Sequence, residues 1–380
     1  ERSVKTNNLG GQVMSLQAKR LFMAMELSKK NWKLGFGDGT QERERTIAAR
    51  DLTALWREIA VAKEKMGLAA DAPVTVGYEA GRDGFWIARA LTGKGIRVCV
   101  MDPSSIQVSR KAKERKTDRL DVKKLRKALL HRELMGEGDA FAEVRVPTEQ
   151  QEADMRLHRE RERLVKERTG HRTRIRSLLI LHGIEIQNPA TVIVEKLRDW
   201  NRRPLSTEWL KELQHEQKRL KLVEERLDAI EEEQWAALAD PQTPALVKAK
   251  RLCQLKGVGI QSAWTLSREC FWRTFRNRRQ IGSFAGLTGT PFDSGETTRE
   301  QGISKAGNWR VRHTMVELAW SWVRWQPHSA LTLWFVDRYL RTGNSRSRRK
   351  GIVALARKLL VALWKYVEQG IVPAGAIVRP

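Results

Sequence analysis

The sequence predicts an α/β domain, then a long helical hairpin or coiled coil, then a mainly α-helical domain. The first follows from short apolar runs that alternate with helical periodicity up to about residue 145. The second follows from leucines spaced in heptads within residues 206–235, and the third from amphipathic segments separated by glycine-containing turns. We place the boundaries at 17–145, 146–240 and 241–380, and we expect residues 1–16 to form a flexible N-terminus.

The first domain is predicted to contain five strands and three helices. Short apolar runs indicate strands, and apolar residues that recur every three or four positions indicate helices. Asp51 precedes the first helical segment and fits the N-cap position, because its carboxylate can accept a free backbone N–H. The segments are, in order, the strands RLFMAMEL, NWKLGFGDG and RERTIAA, the helix DLTALWREIAVAKEKMG, the strand APVTVGYEA, the helix GFWIARALTGKG, the strand IRVCVMDP and the helix KTDRLDVKKLRKALLHREL.

The middle region changes to a composition dense in arginine and glutamate over residues 148–183. Its second half carries a heptad pattern that is typical of paired helices, formed by Leu213, Leu220, Leu227, Val223 and Ile230. Glu216 occupies a core position and weakens the case for a purely intrachain coil without excluding it. Two interpretations stay open, a helical spacer and a dimerisation arm.

The third domain is predicted to be helical with one long polar interruption. The stretch LCQLKGVGIQSAWTLSREC reads as helix, turn, helix, in which Gly257 and Gly259 would let a phosphate approach the backbone closely. A tight helix connection without a ligand is the alternative. Of the tryptophans near residues 309–325, we expect most to pack in the core rather than to stack on bases.

The chain is strongly basic throughout, with a formal net charge of +26 and a pI of about 10.4. This pattern favours a polyanionic partner, nucleic acid before an anionic membrane. No segment has about 20 uninterrupted apolar residues, so no membrane span is expected, and no signal peptide is recognisable. The three cysteines, Cys99, Cys253 and Cys270, lack metal-ligand spacing and indicate reduced thiols in a cytoplasmic protein.

Four carboxylates in the first domain end or follow apolar runs, where burial is costly unless a positive charge meets them. Glu26 and Glu79 end predicted strands, and Asp118 and Asp121 share one face of a predicted helix. Taken singly, Glu79 could be a surface residue, Asp118 a residue favoured by the helix dipole and Asp121 a partner of Lys124. Taken together, they predict a site for Mg²⁺ or Mn²⁺ that supports phosphoryl transfer.

Two serines lie in the polar interruption GLTGTPFDSGETTREQGISKAGNWR, residues 286–310. Ser294 is followed by Gly295, which would give a DNA backbone room to approach. Ser304 or Asn308 would fit the N-cap of the next helix. From residue chemistry alone, either serine could be the nucleophile.

A family resemblance rests on these segments. The acids, with YEAGRDGFW and RKTDRLDVKKL, resemble the catalytic set of the bridge-RNA-guided, DEDD-type insertion-sequence transposases. LKGVGIQSAWTLSRE, FAGLTGTPFDSG and GISKAGNWRVR resemble successive motifs of the same family's transposase domain. The resemblance covers roughly residues 20–375. One departure is Glu26, because the family commonly has aspartate there.

The resemblance implies an RNase H-like (RuvC-like) first domain, a coiled-coil connector and a helical transposase domain. It implies a bacterial, nucleoid-associated recombinase that acts on donor and target DNA with a structured guide RNA. Ser294, in the Asp293-Ser294-Gly295 motif, would be the nucleophile. The family also implies a dimer or tetramer formed through the coiled coil, with active sites shared between protomers.

Contacts with nucleic acid are expected at glycines and cations near these motifs. The predicted residues are Lys116, Gly257, Gly259, Arg299, Ser304, Lys305, Arg310 and Arg312. The first alternative function is a metal-dependent nuclease or Holliday-junction resolvase that uses the four acids and water. The second is a non-catalytic RNA-binding protein.

Overall fold

The computed structural model describes residues 20–81, 83–106, 118–135, 140–294, 297–341 and 344–379. The side chains at 104, 118–120, 135, 291–294 and 297–301 are outside this description. The predicted flexible segment 1–16 and Lys116 also lie outside the described residues. The described residues form two units, one that ends at Thr148 and one that begins at Glu149.

The first unit is built on a five-stranded sheet. Its strands are β1 (Leu21–Leu27), β2 (Asn31–Gly37), β3 (Glu42–Ala48), β4 (Val74–Glu79) and β5 (Arg97–Met101). They lie in the order β3-β2-β1-β4-β5; β1, β2 and β3 pair antiparallel, and β4 and β5 run parallel to β1. The mixed α/β architecture that the strand and helix order predicts is therefore confirmed.

Three helices cover the sheet, α1 (Leu52–Lys65), α2 (Trp86–Thr92) and α3 (Asp118–Met135). Asp51 caps α1 as predicted, since its carboxylate accepts the backbone N–H of Ala54 at 2.8 Å. Successive strand residues point to opposite faces, so the sheet has two cores. Met23 and Met25 of β1 pack in the core that includes α1 and α2, whereas Phe22 and Ala24 pack with α3.

Helix α3 approaches the sheet closely at glycine positions. A Cβ atom on Gly77 would lie 2.4 Å from Cε of Met101 and 3.4 Å from Leu129 of α3. A Cβ atom on Gly35 would lie 3.2 Å from Val122. These glycines set the distance at which α3 packs across β2, β1 and β4.

The second unit begins with a helical hairpin. After the short helix α4 (Glu149–Ala153), helices α5 (Arg156–Ile180) and α6 (Thr207–Ala239) pack side by side. They are antiparallel, because Glu160 near the start of α5 pairs with Arg226 in the second half of α6. The predicted heptad residues of α6, Leu213, Leu220, Val223, Leu227 and Ile230, are all buried.

Glu216, the charged residue in the heptad core, is paired within the chain. It is 3% exposed and accepts hydrogen bonds from His171 Nδ1 at 2.7 Å and Arg174 Nη1 at 2.9 Å, both on α5; Arg219 of α6 also contacts it. Burial alone raises the pKa of Glu216, but these donors outweigh burial and lower it. The charge thus fixes the register of α5 against α6.

Six further helices complete the unit: α7 (Pro244–Cys253), α8 (Ile260–Glu269), α9 (Arg278–Phe284), α10 (Trp309–Trp325), α11 (Ala330–Phe335) and α12 (Ser345–Gln369). The polar interruption forms a β-hairpin of β6 (Gly289–Ser294) and β7 (Thr297–Ile303). We predicted no strands in this domain, because residues 289–303 show no regular apolar alternation.

The tryptophan prediction was wrong for three of four residues on α10. Trp322 is fully buried, but Trp309, Trp320 and Trp325 are 44%, 38% and 45% exposed. Each exposed ring has a cationic group near its face, such as Arg310 over Trp309 with 4.6 Å between the guanidinium carbon and the ring centroid. One face of α10 packs in the core, and of these four tryptophans only Trp322 lies on that face.

Candidate active site

Glu26 and Glu79 lie side by side at the carboxyl ends of two adjacent parallel strands. Met25 of β1 pairs with Tyr78 of β4, so the next residue along each strand is one of the two glutamates. By strand alternation, Glu26 follows Phe22 and Ala24 on the face that α3 covers, and Glu79 follows Gly77 on that face. Both glutamates line one cleft of about 230 Å³.

The N-terminal turn of α3 lies toward the same end of β1. Val122 packs at Gly35, which pairs with Ala24, while Arg126, one turn later, packs at Gly37, which pairs with Phe22. Helix α3 is therefore antiparallel to β1, and the first residues of the helix are the ones nearest Glu26.

Asp118 and Asp121 both lie on α3, but only the side chain of Asp121 belongs to the described part of the structure. The Asp121 carboxylate is 3.4 Å from Lys124 Nζ, the pairing considered from the sequence. The backbone of Asp118 begins α3, and its side chain lies outside the described part of the chain. Among the described residues, no three metal-ligating side chains form a cluster. The four-acid site therefore stays a prediction, of which the structure brings together the first two members.

The cleft has a further acid, Asp83, that the sequence argument missed. Its side chain is 8% exposed, lies 3.9 Å from Arg50 and lines the cleft with Glu26 and Glu79. Below it, the Tyr78 hydroxyl donates to the carbonyl of Gly84 at 3.3 Å, and burial raises the pKa of Tyr78 to about 12. The segment YEAGRDG contained the signal, an acid in a glycine-rich turn directly after a strand.

The cleft fits a hard divalent cation. Glu26 and Glu79 bring carboxylate oxygens, which Mg²⁺ and Mn²⁺ prefer, to one small concave surface. Two acids on adjacent strand ends repel each other, and a cation between them would remove that repulsion. Glu26, Glu79, Asp118 and Asp121 are the residues that would hold it.

Ser294 ends the first strand of the β-hairpin. It pairs with Thr297, and only residues 295 and 296 separate the two, so Ser294 stands at the hairpin tip. Its side chain lies outside the described ones.

The base of the hairpin is mounted rigidly on helices. The Ser304 N–H donates to the carbonyl of Thr288 at 2.8 Å, and the Lys305 N–H donates to that of Gly286 at 3.1 Å. Gly307 has a φ of 116°, and a Cβ atom there would lie 2.3 Å from the Phe284 carbonyl oxygen. Ser304 is thus a hairpin-base residue and not a helix cap.

Asn308 is the cap of α10. Its Oδ1 accepts the N–H groups of Arg310 and Val311, and its own N–H donates to Phe284. Of the two N-cap candidates for α10 that the sequence allowed, Ser304 and Asn308, the structure therefore shows Asn308 in that position.

Glu269 connects this cap to the helical hairpin. It is 2% exposed and accepts from His158 Nε2 at 2.9 Å, Arg159 Nε at 2.7 Å and Asn308 Nδ2 at 3.0 Å, with Arg310 Nε 4.0 Å away. Burial alone raises the pKa of Glu269, but the hydrogen bonds and the Arg159 charge outweigh burial and hold it well below its usual range. One carboxylate thereby joins α5, α8 and the start of α10.

We expect Glu269→Gln to lower the free energy of unfolding by about 2–3 kcal/mol at pH 7. Because the folded-state pKa of Glu269 is depressed, its stabilisation is present above the unfolded pKa and is lost as pH falls. Urea titrations from pH 7 to 3.5 should therefore show a shallower acid loss in the variant than in the wild type. Glu212→Gln, at an exposed carboxyl of α6, is the control. Parallel pH curves for wild type and Glu269→Gln would contradict this role.

The two glycines of the predicted phosphate-binding turn have different surroundings. Gly257 has a φ of 86°, and a Cβ atom there would lie 2.8 Å from Cβ of Trp325. Its carbonyl also accepts the Ser321 hydroxyl at 2.7 Å. Gly259 is exposed, is the N-cap of α8, and has open space where its Cβ would be. Gly257 therefore serves packing against α10, and Gly259 is free to face a phosphate.

Matched alanine substitutions should separate these two roles. Gly257→Ala is expected to cost about 1–3 kcal/mol of stability, because it forces a strained φ and a clash. Gly259→Ala should cost less, about 0.5–1 kcal/mol, because alanine is a poorer N-cap than glycine but meets no clash. Thermal unfolding checks both, and DNA binding by Gly259→Ala tests the phosphate contact. Equal stability of the two variants would be the contrary result.

The predicted phosphate-binding cations are placed differently from one another. Arg310 pairs with Glu162 at 2.8 Å, and Arg312 donates to the Ala285 carbonyl at 3.1 Å. Lys305 is exposed at the hairpin base with a φ of 57°. The side chain of Arg299 lies outside the described ones. Within the described part of the chain, no helix is long and apolar enough to cross a bilayer.

Comparison with protein families gives two matches, which include parts of both units. The model described as "Transposase IS116/IS110/IS902 family" matches residues 249–333, which include the turn of Gly257 and the hairpin of Ser294. The model of the DEDD domain of IS110 transposases, described as "Transposase", matches residues 40–183, which include Glu79, Asp118 and Asp121.

Three curated proteins are similar to the chain. The Sinorhizobium fredii protein named "Putative transposase y4rJ" is 40% identical over 378 residues, 94% of each chain. A second from that organism, "Putative transposase y4qE", is 33% identical over 66% of this chain and 58% of its own length. The "Transposase for insertion sequence element IS1328" of Yersinia enterocolitica is 25% identical over 80% of this chain and 87% of its own.

Proposed function

The chain belongs to the IS110 family of transposases, and from this premise we propose that it is an RNA-guided DNA recombinase with a serine nucleophile. Family membership makes it a transposase, an enzyme that cuts and rejoins DNA. Our proposal adds the covalent serine–DNA intermediate, the divalent metal, the guide RNA and the oligomer. The observation that carries it is the pair Glu26 and Glu79 on adjacent strand ends, in a chain that also presents Ser294 at a hairpin tip.

In the proposed first step, Ser294 Oγ attacks a phosphorus atom of one DNA strand. The Ser–O–P bond forms, the bond from phosphorus to one sugar oxygen breaks, and the proton that the serine hydroxyl loses is balanced by the proton that the leaving sugar oxygen gains to become a hydroxyl. The sugar hydroxyl of another strand then attacks the phosphoserine, which reverses these changes and joins the strands. Because each step exchanges one phosphodiester bond for another, no external energy source is needed.

The acids and cations have separate tasks in this scheme. Glu26, Glu79, Asp118 and Asp121 would hold Mg²⁺ or Mn²⁺, which when bound activates the attacking hydroxyl and neutralises charge on the phosphate. Gly259 and Lys305 would contact phosphate oxygens, which their exposure supports. Active sites shared between protomers and joined through the helical hairpin are part of the proposal, as the resemblance implies.

The guide RNA is proposed from the family resemblance alone, because the net charge of +26 favours any nucleic acid and does not select RNA. The test is to purify the protein from its native host, sequence the bound RNA and supply that RNA in a recombination assay. We expect one structured RNA encoded beside the gene, and recombination of donor with target DNA only when it is present. Recombination without RNA, or a random mixture of bound RNAs, would contradict guidance.

A further inference from the structure

A basic groove lies between α9, α11, α12 and the base of the β-hairpin. Its volume is about 1450 Å³. Nine cationic residues line it: Arg278, Arg279, Lys305, Arg346, Arg349, Lys350, Arg357, Lys358 and Lys365. None of the described residues that line it is acidic. A surface that carries only positive charge favours an anion long enough to contact many of these side chains at once.

Helix α12 supplies most of that charge from a single face. Its lining residues recur at three- and four-residue spacing from Arg346 to Lys365, a distance of about 28 Å along the axis. The opposite face, with Leu355, Leu359 and Leu363, is fully buried in the core. The helix is therefore held in place, and its cations cannot turn away from the groove.

The floor of the groove is apolar. It contains Leu287, Ile303, Leu331, Val353 and Val361, together with the rings of Trp334 and Tyr339. Lys358 Nζ lies 4.5 Å from the Trp334 ring centroid, and Tyr339 lies on a π-helical turn, Val336–Leu340, of a kind that recurs at functional sites. A cationic rim above an apolar floor matches a polyanion whose backbone is charged and whose side groups are flat and apolar.

We propose that this groove binds single-stranded DNA next to the bond that Ser294 attacks. The inference rests on the proposed function. Gly289 and Gly302 lie both in the groove wall and at the base of the hairpin. From Gly289 the strand reaches Ser294 after five residues, about 17 Å. A strand in the groove would therefore lead toward the proposed nucleophile.

The shape and chemistry favour an unpaired DNA strand over the other nucleic acids. The surface is concave, so α12 cannot enter the major groove of a duplex, whereas unpaired bases can enter the protein and contact the floor. Because the groove wall continues into the hairpin of Ser294, which we propose attacks DNA, the unpaired strand that the groove meets would be DNA.

The test measures binding of a fluorescent 12-nucleotide DNA strand to the full chain in EDTA by anisotropy. Ala354→Glu places a carboxylate in the groove on α12, and Ala354→Gln is its neutral control. We expect Ala354→Glu to weaken binding at least tenfold and Ala354→Gln less than twofold. Arg357→Gln with Lys358→Gln should reduce the salt slope by about 1.4, or 0.7 per lost phosphate contact. Lys211→Gln with Lys218→Gln, two exposed cations of α6, should leave binding within twofold.

Two results would overturn the proposal. One is equal binding by Ala354→Glu and Ala354→Gln, with an unchanged salt slope in the Arg357 and Lys358 variant. The other is tenfold tighter binding of the same sequence as RNA or as duplex, with the same sensitivity to Ala354→Glu. The assay has no chemical step, so its outcome is independent of Ser294. If the wild type forms the covalent adduct but Ala354→Glu binds the DNA strand normally, only the groove proposal is overturned. If the DNA strand binds in the groove but the wild type forms no adduct, only the assignment of Ser294 as nucleophile is overturned.

Discussion

Replacing Ser294 by alanine is expected to abolish the covalent protein–DNA adduct and to reduce strand cutting on the order of a thousandfold or more. The reason is that the variant lacks the atom that we propose as nucleophile, whereas the pairing of β6 with β7 is formed by main-chain groups. Binding of DNA should be unaffected, because the loss is in the chemical step.

The measurement is a gel shift after denaturation, with guide RNA, Mg²⁺ and end-labelled DNA that carries the element junction. The wild type should give a band that resists detergent and disappears on proteolysis. Ser304→Ala is the matched control: it removes the other serine of the same segment, whose hydroxyl is 3.4 Å from that of Thr288. We expect Ser304→Ala to retain the adduct within about tenfold.

The alternative of a metal-dependent nuclease makes the opposite prediction. In that mechanism water attacks the phosphate, so Ser294→Ala would still cut DNA and the wild type would give no adduct. Cutting at the wild-type rate by Ser294→Ala would therefore replace the recombinase proposal with hydrolysis by the four acids.

The first domain could be predicted from its sequence because its signals are local. Short apolar runs and the cap at Asp51 depend on neighbours along the chain, and both were confirmed. The adjacency of Glu26 and Glu79 follows once β1 and β4 are parallel neighbours, since both acids end their strands.

Contacts across long sequence distances could not be predicted in the same way. Glu269 reads as an ordinary helix residue, yet its partner His158 is 111 positions away and on another helix. Lys350 and Lys358 read as the solvated side of an amphipathic helix, and only the packing of α9 and α11 makes that side a groove wall. In each case the tertiary arrangement, not the local pattern, determines the role of the charge.

Replacing Glu79 by glutamine is expected to lower strand cutting by about 100- to 10,000-fold while the protein stays folded. Glutamine keeps the size of the side chain and removes the charge that a divalent cation needs, and Glu79 is exposed, so folding should tolerate the change. Glu26→Gln should behave alike, because the two acids line the same cleft. Glu44→Gln, on β3 and paired with Lys33 at 4.0 Å, is the control acid of the same sheet.

Two readouts make this test specific to the metal. Titration calorimetry should show that the wild type and Glu44→Gln bind Mn²⁺ with similar affinity. Glu79→Gln should bind it at least tenfold more weakly. Glu26→Asp should keep cutting within about tenfold, since it retains a carboxylate of the type common in the family. Unchanged Mn²⁺ binding and cutting in Glu79→Gln would exclude this cleft as the metal site. Loss of cutting with unchanged Mn²⁺ affinity would instead assign Glu79 to positioning of the DNA, because only a ligand changes both quantities together.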